Sequence, residues 1–104
     1  EGDIVAAVSA DFGRRSRHET LLADVMTVLH DIDHALSHLK RWMKRKRVWS
    51  DWQFLPGRSE IRYQPVGVVG IISPWNYPVN LALMPLASAI AAGNHVMLKP
   101  SELT

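Results

Sequence analysis

Two short stretches set chemically capable side chains beside prolines: Ser73-Pro74-Trp75-Asn76-Tyr77-Pro78 and Lys99-Pro100-Ser101-Glu102. A turn is made by residues such as Gly, Asn, Asp or Pro, and a tryptophan adds nothing to it. The Asn76 side-chain amide is a neutral donor of the kind that stabilises a developing oxyanion. Trp75 and the flanking prolines would hold that donor still, which preorganisation requires. A helix N-cap or turn residue is the plainer reading of Asn76. Lys99 and Glu102 offer a donor and an acceptor that suit the vicinal hydroxyls of a ribose. A surface ion pair between them is the plainer alternative.

Other candidates carry less. His30, His34 and His38 recur every fourth residue, and histidines so spaced can chelate zinc from one helix face. At about 100° per residue, however, their row lies opposite the middle of the apolar stripe described below. That assigns it to solvent, and no metal site is expected. Lys40–Arg47 holds six basic residues in eight. No second basic cluster extends it, so it reads as a solvated helix end favoured by the dipole, with Trp42 and Met43 turned inward. Gly67-Val68-Val69-Gly70 lacks the Gly-x-Gly-x-x-Gly spacing of the dinucleotide fingerprint. Its glycines are expected to let the backbone pass close to another segment.

The elements that must position these residues follow from periodicity. Residues 3–12 read as a short helix stopped by Gly13. Ser16 and Glu19 have the spacing of a capping box, opening a long helix that runs from about Arg17 to Arg45. Leu22, Val25, Met26, Leu29, Ile32, Leu36, Leu39 and Met43 form one apolar stripe along it. Pro56-Gly57 closes an irregular connection over residues 48–60. Residues 61–72 predict a strand leading into a buried strand, with Pro65 and Gly67 between them. Residues 79–92 predict a helix ending at Gly93, in which Pro85 implies a kink or a tight packing demand. Residues 94–99 read as another buried strand. Strand, helix and strand in this order make a parallel βαβ unit. Such units belong to doubly wound sheets, which bind ligands beyond the carboxyl ends of their strands. Both chemically capable stretches fall there.

Composition narrows the function classes. With 104 residues, a hydrophobic fraction of 47% and a net charge of +2, the chain suits one small domain or a piece of a larger one. It is not a surface built wholly for nucleic acid. There is no cysteine, which excludes a disulfide, Cys-bound zinc or a thiol nucleophile within these residues and fits a reducing compartment. No apolar run reaches about 18 residues, so no membrane span is expected, and the start lacks the features of a secretory signal. A first residue other than Met and a last one just past a strand-like run lead us to expect a piece of a longer protein.

Residues 65–102, "PVGVVGIISPWNYPVNLALMPLASAIAAGNHVMLKPSE", resemble the aldehyde dehydrogenase superfamily in order and register. The order is a strand, then Pro-Trp-Asn with Tyr or Phe and Pro, an Ala-rich helix ending in Gly-Asn, and a strand ending in Lys-Pro-Ser-Glu. The preceding "DFGRRSRHETLLADV" and "HLKRWMKRKRV" resemble the N-terminal helices of the class 3 and fatty aldehyde branch, within it the bacterial coniferyl aldehyde dehydrogenases. The resemblance implies an α/β fold, with an N-terminal helical segment over 1–60 and the incomplete start of a Rossmann-like NAD(P)-binding βαβ domain over 61–104.

The same resemblance implies roles. Asn76 would supply the side-chain amide of the oxyanion hole, and Lys99 and Glu102 would hold the adenine-side ribose of NAD(P)⁺. Ile72, Ser73, Pro74 and Trp75 would line the cofactor crevice, and Tyr77 would border the aldehyde tunnel. A carboxylate at Glu102 favours NAD over NADP, with dual use open because the glutamate can swing away. The implied reaction oxidises a small-molecule aldehyde through a cysteine thioester, with hydride passing to nicotinamide and a glutamate-activated water releasing the acid. Neither that cysteine nor that glutamate lies in these residues, so this piece alone is expected to be inactive. The whole enzyme is expected to be a cytoplasmic homo-oligomer, a dimer, with no nucleic-acid partner. A non-catalytic helical module that binds other proteins stays open as the alternative.

Overall fold

Helix α1 spans Gly2–Phe12 and stops at Gly13, whose φ of 73° is the left-handed conformation that glycine adopts without a Cβ penalty. These coordinates come from a computed structural model that describes residues 2–104. A helical rod follows, made of α2 (Arg17–Glu19), a π-helical stretch over Thr20–Met26, and α3 (Thr27–Trp42). Ser16 does take the N-cap position, but the expected capping box does not form, because its side chain makes no capping bond. Glu19 turns instead toward Arg15, at 3.7 Å, since a guanidinium is a stronger partner for a carboxylate than a backbone amide.

The apolar stripe is corrected in the same way. Val25 and Val28 are buried, yet Leu22, Met26, Leu29, Leu36 and Met43 are exposed. A spacing of 100° holds only for i→i+4 bonding, and the wider π-helical turn over Thr20–Met26 rotates later residues away from it. Trp42 is also not turned inward. It stacks on His38 at 5.7 Å, continuing the row of histidines one helical turn further on. The rod ends at Trp42, short of Arg45, with Met43 and Lys44 donating back to the carbonyls of Leu39 and Arg41. Like charges three and four apart oppose a helix across Lys40–Arg47, whereas an extended chain sends neighbours to opposite sides.

Strand β1 (Lys46–Val48) accordingly forms just past the expected helix end and runs into the connection expected to be irregular over 48–60, pairing antiparallel with β2 (Ser59–Ile61) at its far end. The expected leading strand at residue 61 is therefore the end of this hairpin, separated from β3 (Val68–Ile72) by extended chain. The expected helix and second parallel strand follow β3, but the strands are not buried as expected. Only Ile71 of β3 is buried and none of residues 95–99 is, because a sheet of two strands packed on one helix leaves its outer face and edges open. Helix α4 covers Pro78–Ala91 and runs through Pro85 without a break, and β4 (His95–Lys99) lies parallel to β3. Their register pairs Val68 with His95 and Ile72 with Lys99.

The entry into β3 is fastened by Asn94, whose Oδ1 accepts from the backbone N–H groups of Val66 and Gly67 at 2.7 and 3.1 Å. Gly67 is needed for its φ of 114°; a Cβ built there or at Gly70 meets nothing, so the expected close backbone passage at these glycines does not occur among the described residues. The π-helical stretch and α3 pack against α4, which in turn covers the two parallel strands. The core is small: Val8, Val25, Val28, Ile71 and Ala82 are its buried apolar residues. Among the described residues, no helix is long and apolar enough to cross a membrane.

Candidate active site

Because Ile72 and Lys99 are register partners, the two proline-bearing stretches leave the sheet side by side at its carboxyl end. The ladder extends one step further, with the Ser73 N–H donating to the Lys99 carbonyl at 3.1 Å. Ile72 is exposed at the end of β3, while Ser73 is buried and its Oγ has no partner among the described residues. Pro74 is exposed and Trp75 half-exposed, its ring 6.1 Å from that of Phe12 on α1.

Asn76 lies in the bend that follows. Tyr77, not Asn76, holds the N-cap position of α4, with Pro78 in the first turn, where the missing N–H costs nothing. The N-cap reading of Asn76 is therefore removed. Its side chain is exposed and makes no hydrogen bond among the described residues, so both N–H donors are available.

What holds this bend comes from the N-terminal segment. Helix α4 has no capping side chain of its own. Asp24 supplies one from the rod: its Oδ1 accepts from the Asn80 N–H at 3.0 Å, and the Asn80 amide donates to the Ala23 carbonyl at 2.7 Å. A carboxylate is well placed there, since the first turn of a helix carries free N–H groups and the positive end of the dipole. Asp24 is fully buried, and its other oxygen lies 3.0 Å from Nη2 of Arg15, a charge contact without hydrogen-bond alignment. Arg15 in turn donates from Nη1 to the backbone carbonyl of Asn76 at 2.7 Å. Its guanidinium sits 4.8 Å from the centre of the Phe12 ring and 4.7 Å from that of Tyr77.

Lys99 and Glu102 form an ion pair at 2.9 Å, with side chains 59% and 83% exposed. The plainer alternative is thus realised geometrically. An exposed pair contributes no more than about 1 kcal/mol, so opening it costs little. The histidine row lies apart from all this. His34 and His38 meet edge to face at 4.2 Å, and His38 Nδ1 lies 2.8 Å from Ser37 Oγ. A cavity of about 560 Å³ between α3, α4 and the chain around Tyr63 is lined in part by His34 and Trp42, and by none of Ile72–Tyr77, Lys99 or Glu102.

Sequence reasoning passed over Arg15, Asp24 and Asn80. A signal existed for Asp24, which stands in the four-spaced row Thr20, Asp24, Val28 that proves buried. An acid on such a row needs a partner. For Arg15 nothing local distinguished it from Arg14 or Arg17.

Known proteins resemble this chain in sequence and in fold. The aldehyde dehydrogenase family model matches residues 2–104. A probable coniferyl aldehyde dehydrogenase of Pseudomonas aeruginosa is 50% identical over 101 residues, covering 97% of this chain and 21% of that protein. Aldehyde dehydrogenase family 3 member A2 of Pongo abelii is 44% identical over 104 residues, covering 100% of this chain and 21% of that one. A solved structure described as the substrate bound state of Staphylococcus aureus AldH superposes with a TM-score of 0.91 at 38% identity, over 97% of this chain and 22% of its own. The chain thus spans about a fifth of the length of the relatives it matches.

Proposed function

This chain belongs to the aldehyde dehydrogenase family, and from that premise we propose that it forms the N-terminal part of an NAD(P)-dependent enzyme oxidising aldehydes to carboxylic acids. The observation that carries this reading is an exposed Asn76 amide with free donors, in a bend whose backbone is tied at the carboxyl end of β3. Attack of a thiolate on an aldehyde moves charge onto the carbonyl oxygen, and the Asn76 Nδ2–H would donate to it there. The cysteine and the general-base glutamate would come from sequence outside these 104 residues, which contain no cysteine.

The residues present fit a dinucleotide. An ammonium and a carboxylate stand side by side beyond β4, open to solvent and next to the end of β3. Lys99 would donate to the hydroxyls of the adenine-side ribose and Glu102 would accept from them, while Ile72, Ser73, Pro74 and Trp75 would wall the crevice. When bound, NAD(P)⁺ would accept the hydride. Glu102 favours the free 2′-hydroxyl of NAD⁺ over a 2′-phosphate. Tyr77 would border the aldehyde path. Residues 1–60 would be a helical segment preceding the cofactor domain that begins at 61–104, in a cytoplasmic dimer.

Relatives named coniferyl aldehyde dehydrogenase support an aromatic aldehyde as substrate, and the family 3 relatives keep long-chain aldehydes in view. The test is to incubate the full-length protein with NAD⁺ and either coniferyl aldehyde or a long-chain aldehyde, measuring NADH and acid. Stoichiometric acid and NADH are expected. Failure of every aldehyde to drive reduction of NAD⁺ or NADP⁺ would overturn the reading.

A further inference from the structure

The bend that carries Asn76 has few ties of its own. Its sequence supplies two prolines and a tryptophan, yet its side chains form no hydrogen bond to one another among the described residues. What crosses to it is one cation. Arg15, 61 positions earlier in the chain, donates to the Asn76 carbonyl at 2.7 Å. The guanidinium lies against the Tyr77 ring on the following residue, and against Phe12, whose own ring neighbours Trp75 on the preceding residue. Residues 75, 76 and 77 are thus each tied, directly or through Phe12, to one side chain.

That side chain is itself fixed. Only 4% of it is exposed, and Asp24, fully buried, faces it at 3.0 Å. Asp24 also caps α4 at Asn80, so one carboxylate anchors both the cation and the far end of the bend. A planar, permanently charged fork with several donors suits this arrangement, because it can meet a carboxylate, a carbonyl and two ring faces together. A lysine ammonium could meet the carboxylate but not hold all four.

From this geometry we infer that Arg15 is a positioning residue for the oxyanion donor, setting the direction of the Asn76 amide through its backbone carbonyl. The inference rests on the reading of Asn76 as that donor. With only 4% of its side chain exposed, Arg15 acts through residue 76. Donors aimed at a developing charge lose much of their effect when displaced by about an ångström, with rate losses that reach about 100-fold.

The experiment is a double-mutant cycle in the full-length enzyme, using Arg15→Lys, Asn76→Ala and the combination, with kcat and the KM for NAD⁺ and aldehyde measured for each. Arg15→Lys keeps a cation beside Asp24 and is expected to lower kcat about 10-fold or more, leaving the KM for NAD⁺ within about twofold. In the Asn76→Ala background the same change is expected to cost less than about twofold, because the group it aims is gone. Losses that multiply, or a kcat for Arg15→Lys equal to wild type, would overturn the inference while leaving Asn76 its role. A wild-type kcat for Asn76→Ala would instead overturn the donor reading, and the role of Arg15 with it. If Arg15→Lys does not fold, Arg15→Gln is carried through the same cycle, since its amide can still donate to the carbonyl, and it is judged by the same two criteria.

Discussion

At the scale of single residues, the two halves of the proposed site differ in how they are held. Asn76 is exposed but its backbone carbonyl is tied to a buried cation, a tie that would set its direction before any ligand arrives. Lys99 and Glu102 are exposed and held by each other and by a long 3.4 Å hydrogen bond from Lys99 Nζ to the neighbouring Pro100 carbonyl. The first arrangement suits a donor that must be aimed, the second a contact that closes on a ligand and opens again. A charge-assisted hydrogen bond is worth about 1.5–3 kcal/mol. Lys99→Ala in the full-length enzyme is therefore expected to raise the KM for NAD⁺ about 10-fold, with kcat nearly unchanged. Glu102→Gln is expected to shift the ratio of kcat/KM values toward NADP⁺, by removing a negative charge from the neighbourhood of the 2′-phosphate. Steady-state kinetics with both cofactors checks the two variants together, and an unaltered cofactor ratio would remove Glu102 from the ribose site.

At the scale of elements, docking of the rod on α4 depends on a buried acid. Truncating Asp24 to alanine leaves the Arg15 charge buried without its partner and the Asn80 N–H without an acceptor. Breaking a buried pair from one side costs about 3–5 kcal/mol. Asp24→Ala is expected to lower the urea midpoint of the full-length protein accordingly, and a shift below about 1 kcal/mol would show that the pair carries little of the docking. This dependence also explains what could be read from the sequence. The βαβ unit was legible because β3, α4 and β4 are bounded by their own local signals, Gly67, Pro78 and Gly93. The π-helical turn was not, since i→i+5 bonding leaves no mark in a pattern of apolar residues, and it moved the buried face from Leu22 and Met26 toward Thr20, Asp24 and Val28. Nor was the β1–β2 hairpin, whose strands are three residues each and fully or largely exposed. Of the site, the polar residues at the strand ends announced themselves by type. Arg15 did not, because its partners Asp24 and Asn76 are distant in sequence and become neighbours only when the rod lies on α4.

At the scale of the whole molecule, the chain extends over 66 × 24 × 17 Å and exposes large apolar side chains along the rod, the hairpin and the strands, among them Leu36, Trp49, Trp52, Tyr63 and Ile72. Exposed apolar side chains in this number, together with the open edges of a two-stranded sheet, invite association. The 104-residue chain expressed alone is expected to elute from a sizing column as oligomers at high concentration. A clean monomer there would show that these surfaces are tolerated in water. Within the whole enzyme, the central claim is that an aldehyde dehydrogenase uses the Asn76 amide to hold the oxyanion. Single-turnover hydride transfer in the full-length Asn76→Ala variant, saturated with NAD⁺ and aldehyde, tests it most directly. Loss of one such donor is expected to slow the step about 100-fold or more while leaving the affinity for NAD⁺ unchanged. A rate of hydride transfer close to that of the unaltered enzyme would contradict the account.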